Sequence, residues 1–233
     1  MYFRYIYVDA MYIKVREHHK VVSKAVYIAI GINEKNKREI LGLKVDHSES
    51  ETSWYDFFES LKSRGLQSPK MVISDAHSGL KSAIQKAFIG TSWQRCTVHM
   101  LRNMIQSMPR KGSKEARTEL KAIFQARHME EARALKEQFI LKYEDEKGYQ
   151  KAITVLDEGF DDATQFYAEP EDYHVSLRTT NMLERMNAEV RRRERVIRTF
   201  PNQQSAFRLI AAVLMDYEDT LDLGNRTFLK KRD

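Results

Sequence analysis

Two short polar turns divide the first 45 residues into three strand-like runs, and this pattern constrains the fold more than any other feature of the chain. Residues 4–16 are rich in Tyr, Ile and Val; residues 21–32 and 38–45 repeat that character. Glu17-His18-His19-Lys20 separates the first two runs, and residues 33–36 separate the second and third. Connections this short join antiparallel neighbours, because parallel strands need a crossover of about a dozen residues or more. The chain therefore opens as an antiparallel meander.

Helical spacing takes over at Trp54, Phe57, Phe58 and Leu61 and predicts a helix over 51–64, stopped by Gly65 and followed by Pro69. A short buried strand is expected at 70–74, a helix at 76–88, a further short strand at 92–96, and a helix from residue 98. Three antiparallel strands followed by alternating helix and strand make a mixed α/β domain. The character changes near Pro109. From Lys114 to Phe166 the chain reads as helical, with apolar stripes at Leu120, Ile123 and Phe124 and at Leu135, Phe139 and Ile140. The expected division is 1–108 for the first part of the core, 109–172 for an all-helical insertion, and 173–233 for C-terminal helices, at 181–198 and 203–219, that complete the core.

With 42% hydrophobic residues among 233, the chain can build a sizeable interior. A formal net charge of +6 permits binding of a polyanion without requiring it. A single cysteine, Cys96, excludes an intrachain disulfide and fits a reducing compartment, so a cytoplasmic location is expected. No apolar run approaches the roughly 20 residues that span a bilayer. The opening run ends in Asp9 and does not read as a signal peptide.

Three acidic residues stand out by position. Asp9 lies in the first strand run and shares a strand face with Tyr5 and Tyr7, where a charge is costly unless it is paired, solvated or metal-bound. Asp75 ends the strand at 70–74, the end at which α/β sheets place ligands, although it also suits the N-cap of the following helix. Glu184 completes a capping-box pattern with Asn181 and lies among six arginines between 184 and 198. At about 100° per residue, Arg191, Arg195 and Arg198 fall within roughly 40° of Glu184. The stripe Leu183, Met186, Val190 and Ile197 is expected to pack inward. Pairs Glu189–Arg193 and Glu194–Arg198 are expected at i, i+4, leaving surplus cations suited to phosphate. Three carboxylates from separate elements beside a basic helix point to metal-assisted phosphoryl transfer on nucleic acid. Cys96-x-x-His99 has metal-ligand spacing but lacks the second close pair a structural zinc site needs. His77 stands two residues after Asp75 and is a candidate for the same cleft.

Four segments in this order resemble the mutator-type transposases of bacterial insertion sequences. They are Tyr7-Val-Asp9 through Arg16; Ser74-Asp75-Ala-His77-Ser-Gly79; Arg95-Cys96-Thr-Val-His99; and Thr179-Thr-Asn181-Met-Leu-Glu184-Arg-Met-Asn187 through Arg193 to Asn202. The resemblance covers residues 4–220. It implies a ribonuclease-H-like α/β core, with a three-strand antiparallel meander plus parallel strands, and a helical insertion before the last catalytic residue. It implies an acidic triad of Asp9, Asp75 and Glu184, with Cys96, His99, His77 and Asn187 supporting it. Hard oxygen ligands select Mg²⁺ or Mn²⁺, and two ions about 3.5–4 Å apart suit in-line displacement. On this reading Asp9 bridges both ions, Asp75 binds one and Glu184 the other. Arg185, Arg191, Arg195 and Arg198 position the DNA backbone. The expected partners are transposon ends and target DNA, and the expected state is a homodimer or higher oligomer on DNA. Members of the family carry a sizeable N-terminal region before the first catalytic strand, so this sequence reads as a truncated product or an isolated catalytic part. Two alternatives stay open: a DNA-binding remnant without catalysis, and a general nuclease on the same fold.

Overall fold

In the computed structural model, which describes residues 1–111, 113–223 and 227–229, the meander is present as three strands. β1 (Tyr5–Glu17) and β2 (Lys20–Ile32) pair antiparallel from Tyr5↔Ile32 to Glu17↔Lys20. β3 (Arg38–Asp46) pairs antiparallel with β2, and a register shift at Ala29/Ile30 accommodates one extra residue. The first turn is tighter than its four polar residues suggest. Glu17 and Lys20 belong to the ladder, and the turn is His18 and His19 alone, at φ of 46° and 65°. Positive φ at both central residues is the type I′ requirement, a conformation that matches strand twist but favours Asn-Gly. A side chain held in that region costs about 1–2 kcal/mol. His18→Asn with His19→Gly is therefore expected to stabilise the chain by about 1 kcal/mol, seen as a higher urea midpoint at unchanged slope.

α1 (Glu51–Ser63) follows, capped by the Ser50 hydroxyl, which accepts from Ser53 N. Then come β4 (Met71–Ser74), α2 (Ser78–Ala87) and β5 (Ser92–Arg95). β4 lies parallel to β1, with Tyr5↔Met71 and Tyr7↔Ile73, and the sheet order is β3-β2-β1-β4-β5. The fold is thus mixed α/β around a five-stranded mixed sheet. β4 is buried at every position, as a central strand covered on both faces must be. One sheet face packs Ile6, Val8 and Tyr27 against α1 and α2, where Trp54 meets Tyr27 edge-on at 4.6 Å between centroids and Phe58 lies nearly parallel to it at 5.7 Å.

α3 (Thr97–Ser107), α4 (Lys114–Ile123), α5 (Met129–Tyr143), α6 (Gln150–Ala163) and the short α7 (His174–Leu177) fill the middle of the chain. α8 (Asn181–Ile197) and α9 (Gln203–Leu223) close it. The described residues divide into one unit of Met1–Trp93 with those from Thr180 onward, and a second of Gln94–Thr179. The second unit has its own core, with Met100, Met104, Leu120, Phe124, Phe139, Leu156 and Phe160 buried together. It takes in α3, ahead of Pro109, because α3 packs on α6 and buried Gln94 bonds the Ala163 carbonyl (2.8 Å) and the Phe166 N–H (2.8 Å). Its two ends are tied to each other: the Thr97 N–H and hydroxyl both donate to the Arg178 carbonyl, at 2.9 and 2.8 Å.

Candidate active site

The parallel pairing of β1 with β4 positions the first two acidic residues. Tyr7 lies opposite Ile73 in the last pair of that ladder; Asp9 follows two residues on within β1, and Asp75 directly follows β4. Both are half-buried. Asp75 is free of the capping duty its position suggested: α2 begins at Ser78, and the His77 ring accepts from Leu80 N at 3.3 Å as the N-cap. His77 also lies 3.8 Å from Glu49. Its role in this structure is that of a helix cap.

α8 brings the third carboxylate. Its N-cap is Thr180 rather than Asn181, which is the first helical residue and exposed. The expected capping box is therefore absent. The Thr180 hydroxyl does not cap the helix; it makes a long contact, 3.4 Å, to Asp75 Oδ1. One face of α8 then carries Thr180, Glu184 and Asn187 at i, i+4 and i+7. Asn187, 9% exposed, donates from Nδ2 to Asp9 Oδ2 at 2.6 Å, and Asp9 Oδ1 accepts from Ala10 N at 2.9 Å. Glu184 thus stands between a residue that touches Asp75 and one that touches Asp9, in the first turn of a helix whose dipole favours an anion. All three carboxylates belong to the first unit. Asp9 and Asp75 thus each have a partner on α8, on the face that also carries Glu184.

The Asn187 Oδ1 atom is buried with no hydrogen-bond partner. An orphan acceptor beside Asp9 is a place for a donor such as water held by a hydrated cation. Together with carboxylate oxygens as the only charged donors of this set, it fits a hard divalent ion such as Mg²⁺ or Mn²⁺.

The basic side of α8 is arranged differently from the expectation. Arg185, Arg191, Arg195 and Arg198 are exposed. Ion pairs run i, i+3: Arg192 to Glu189 at 2.9 Å and Arg191 to Glu194 at 4.0 Å, in place of the expected i, i+4 pairs. Leu183, Met186 and Val190 are buried as the stripe requires, but Ile197 is 39% exposed because the helix ends there. Arg198 follows at φ 62°, with the Thr199 N–H donating to the Ile197 carbonyl at 2.7 Å, a strained three-residue turn. The chain then bridges to β1: the Phe200 N–H donates to the Lys14 carbonyl (2.9 Å) and the Arg16 N–H to the Phe200 carbonyl (2.8 Å).

Cys96 and His99 lie in the second unit. Cys96 is buried at the start of α3, and the His99 ring Nδ1 lies 3.3 Å from its sulfur. Two residues at the first unit's sites went unnoticed in the sequence. Thr180 was overshadowed by Asn181, the better cap former. Lys24 is fully buried and pairs with Glu17 at 2.7 Å and His47 at 2.9 Å; strand alternation placed it inward, but its partners come from other elements.

Comparison with known proteins adds to this geometry. The family described as "Transposase, Mutator family" matches residues 1–222. The transposase for insertion sequence element IS256 in transposon Tn4001 of Staphylococcus aureus is 49% identical over 225 residues, 97% of this chain and 57% of that protein. The transposase for insertion sequence element ISRM5 of Rhizobium meliloti is 38% identical over 96% of this chain and 56% of its own length. The transposase for insertion sequence element IS1081 of Mycobacterium tuberculosis is 34% identical, covering 96% and 54%. The chain thus spans little more than half the length of these relatives. Among solved structures, a chain of the simian T-cell lymphotropic virus intasome in complex with PP2A regulatory subunit B56 gamma aligns with 66% of this chain at a TM-score of 0.30 and 8% identity, a likeness from which no fold assignment follows. Among the described residues, no helix is long and apolar enough to cross a membrane.

Proposed function

The chain belongs to the Mutator family of transposases, and from that premise we infer that it carries the DNA-processing chemistry: metal-dependent strand cleavage and strand transfer by Asp9, Asp75 and Glu184 on a ribonuclease-H-like core. The observation that carries this reading is the shared α8 face: Asn187 reaches Asp9, Thr180 reaches Asp75, and Glu184 lies on the same face between them. The sheet order β3-β2-β1-β4-β5, with a meander and then a parallel strand, is compatible with that core.

Asp9, Asp75 and Glu184 would hold Mg²⁺ or Mn²⁺, two ions in all, which when bound activate the attacking oxygen and stabilise the leaving one. Asn187 fixes the Asp9 carboxylate through its amide, and Thr180 steadies Asp75. Asp9 sits within β1 and Asp75 directly follows β4, so both carboxylates are mounted on the sheet before substrate arrives. Exposed Arg185, Arg191, Arg195 and Arg198 offer cations to the DNA backbone. The attacking group is water in cleavage and a DNA 3′-hydroxyl in joining. Transposon ends and target DNA are the proposed partners, an oligomer on DNA the proposed assembly and the cytoplasm the proposed location. His77, Cys96 and His99 are assigned supporting roles.

The test is cleavage and joining of labelled duplexes carrying candidate element ends, with and without Mg²⁺ or Mn²⁺. Metal-dependent nicks at the ends, followed by joined products, are expected. Cutting without preference for ends and without joining would replace this reading with that of a general nuclease. Salt-sensitive binding with no metal-dependent product would replace it with that of a non-catalytic remnant.

A further inference from the structure

We propose that the outer half of the β1–β2 hairpin is a binding surface for the backbone of duplex DNA, formed by Lys14, Arg16 and Lys20. The inference rests on the reading above that the chain acts on DNA, and it adds a contact surface outside the carboxylate site. β4 pairs with β1 only over Tyr5–Tyr7 and β3 with β2 only as far as Ala25↔Asp46, so from Ile13 outward the hairpin is a two-stranded ribbon. Alternation gives the ribbon two unlike faces. Met11, Ile13 and Val15 are buried on one, together with Lys24, the partner of Ile13. Tyr12, Lys14 and Arg16 are exposed on the other, opposite Ala25, Ser23 and Val21.

The charges are segregated as well. Glu17 is the single acidic residue between Ala10 and Val26. It is committed to Lys24 on the buried face, at 2.7 Å. The exposed face therefore presents Lys14 and Arg16 without an acidic residue of the hairpin beside them, while exposed Lys20, opposite Glu17 in the ladder, stands on the other face at the tip; among the described residues Lys14, Arg16 and Lys20 enter no ion pair. Positions two apart on a strand recur about every 6.7 Å, so Lys14 and Arg16 can reach separate phosphates rather than compete for one. Lys20 adds a cation at the tip from the other face, beside the turn where His18 and His19 keep a strained backbone that Asn-Gly would relieve and add ring N–H donors.

A free two-stranded ribbon is marginally stable. This one is pinned on its second edge by the Phe200 bridge at Val15 and from below by the Lys24–Glu17–His47 cluster. Pinning reduces the ordering cost of binding. A two-stranded ribbon also has the width of the DNA major groove, where both flanking backbones are within reach of long side chains.

The experiment is the affinity of the whole chain for a short labelled duplex of arbitrary sequence, measured by anisotropy between about 50 and 200 mM salt without divalent metal. Lys14→Ala/Arg16→Ala/Lys20→Ala is compared with wild type and with Lys35→Ala/Lys86→Ala/Arg208→Ala, which removes equal charge elsewhere on the same unit. The ribbon variant is expected to lose about 2.7 from the log–log salt slope and at least tenfold in affinity, while the control loses less than one from the slope. The corresponding triple Gln variant guards against a folding defect and is expected to match the triple Ala. Wild-type slope and affinity in both ribbon variants would overturn the surface and leave the catalytic reading standing. Loss of single-strand binding with duplex binding intact would overturn the duplex assignment. A wild type that neither binds nor cuts DNA would overturn both readings. Asp9→Asn separates the two sites, since it is expected to keep the full salt slope while losing cleavage.

Discussion

Asp9→Asn is expected to lower metal-dependent strand cleavage by at least about 10³-fold, because a carboxylate that holds a catalytic cation supports several kcal/mol of transition-state charge stabilisation. Asp75→Asn and Glu184→Gln are expected to do the same. Each swap keeps shape and removes one negative charge, so packing survives. In metal-free buffer the variants are expected to unfold at the wild-type temperature or slightly above it, since one like-charge repulsion is relieved. Added Mg²⁺ is expected to raise the unfolding temperature of wild type, through preferential binding to the folded state, and to leave the variants nearly unmoved. Cleavage within tenfold of wild type in any one of them removes that residue from the proposed site.

Asn187→Ala is the second large effect, and it has a different signature. The side chain donates to Asp9 Oδ2 at 2.6 Å and leaves its own oxygen buried without a partner. Residues that orient a metal-binding carboxylate are worth about 10–100-fold in metal affinity or activity. The Mg²⁺ concentration giving half-maximal cleavage is therefore expected to rise by about 10–100-fold, with the rate at saturating metal reduced much less than in Asp9→Asn. An unchanged Mg²⁺ midpoint would make Asn187 a packing residue only.

The meander and the placement of Asp9 were legible because alternation, short turns and strand ends are local signals. The place of Glu184 in the first turn of a helix was legible as well, since helical spacing needs no tertiary information. What escaped the sequence was decided by partners distant in the chain. Asp75 and Asn181 both looked like helix caps, but His77 and Thr180 take those positions. The preference for Asn and Asp at caps is worth about 1 kcal/mol, which tertiary contacts outweigh. The i, i+3 arginine pairs differ from the i, i+4 expectation for a related reason: both spacings are neighbours on a helix, and surface pairs differ by only tenths of a kcal/mol. Lys24 reads as a fault in an apolar strand until Glu17 and His47 arrive beside it. His18 and His19 read as polar filler, and only their backbone angles mark them as costly.

The double hydrogen bond from Thr97 to the Arg178 carbonyl makes the stretch between them an excursion whose mouth is stapled shut. Loop-closure entropy grows only slowly with the length enclosed, by about 0.6 kcal/mol per doubling. Evolution is thus free to lengthen, shorten or exchange the helices inside the excursion at small thermodynamic cost, provided the staple is kept. Related chains of different total length should differ most there, and least across the strands and helix that bear the three carboxylates.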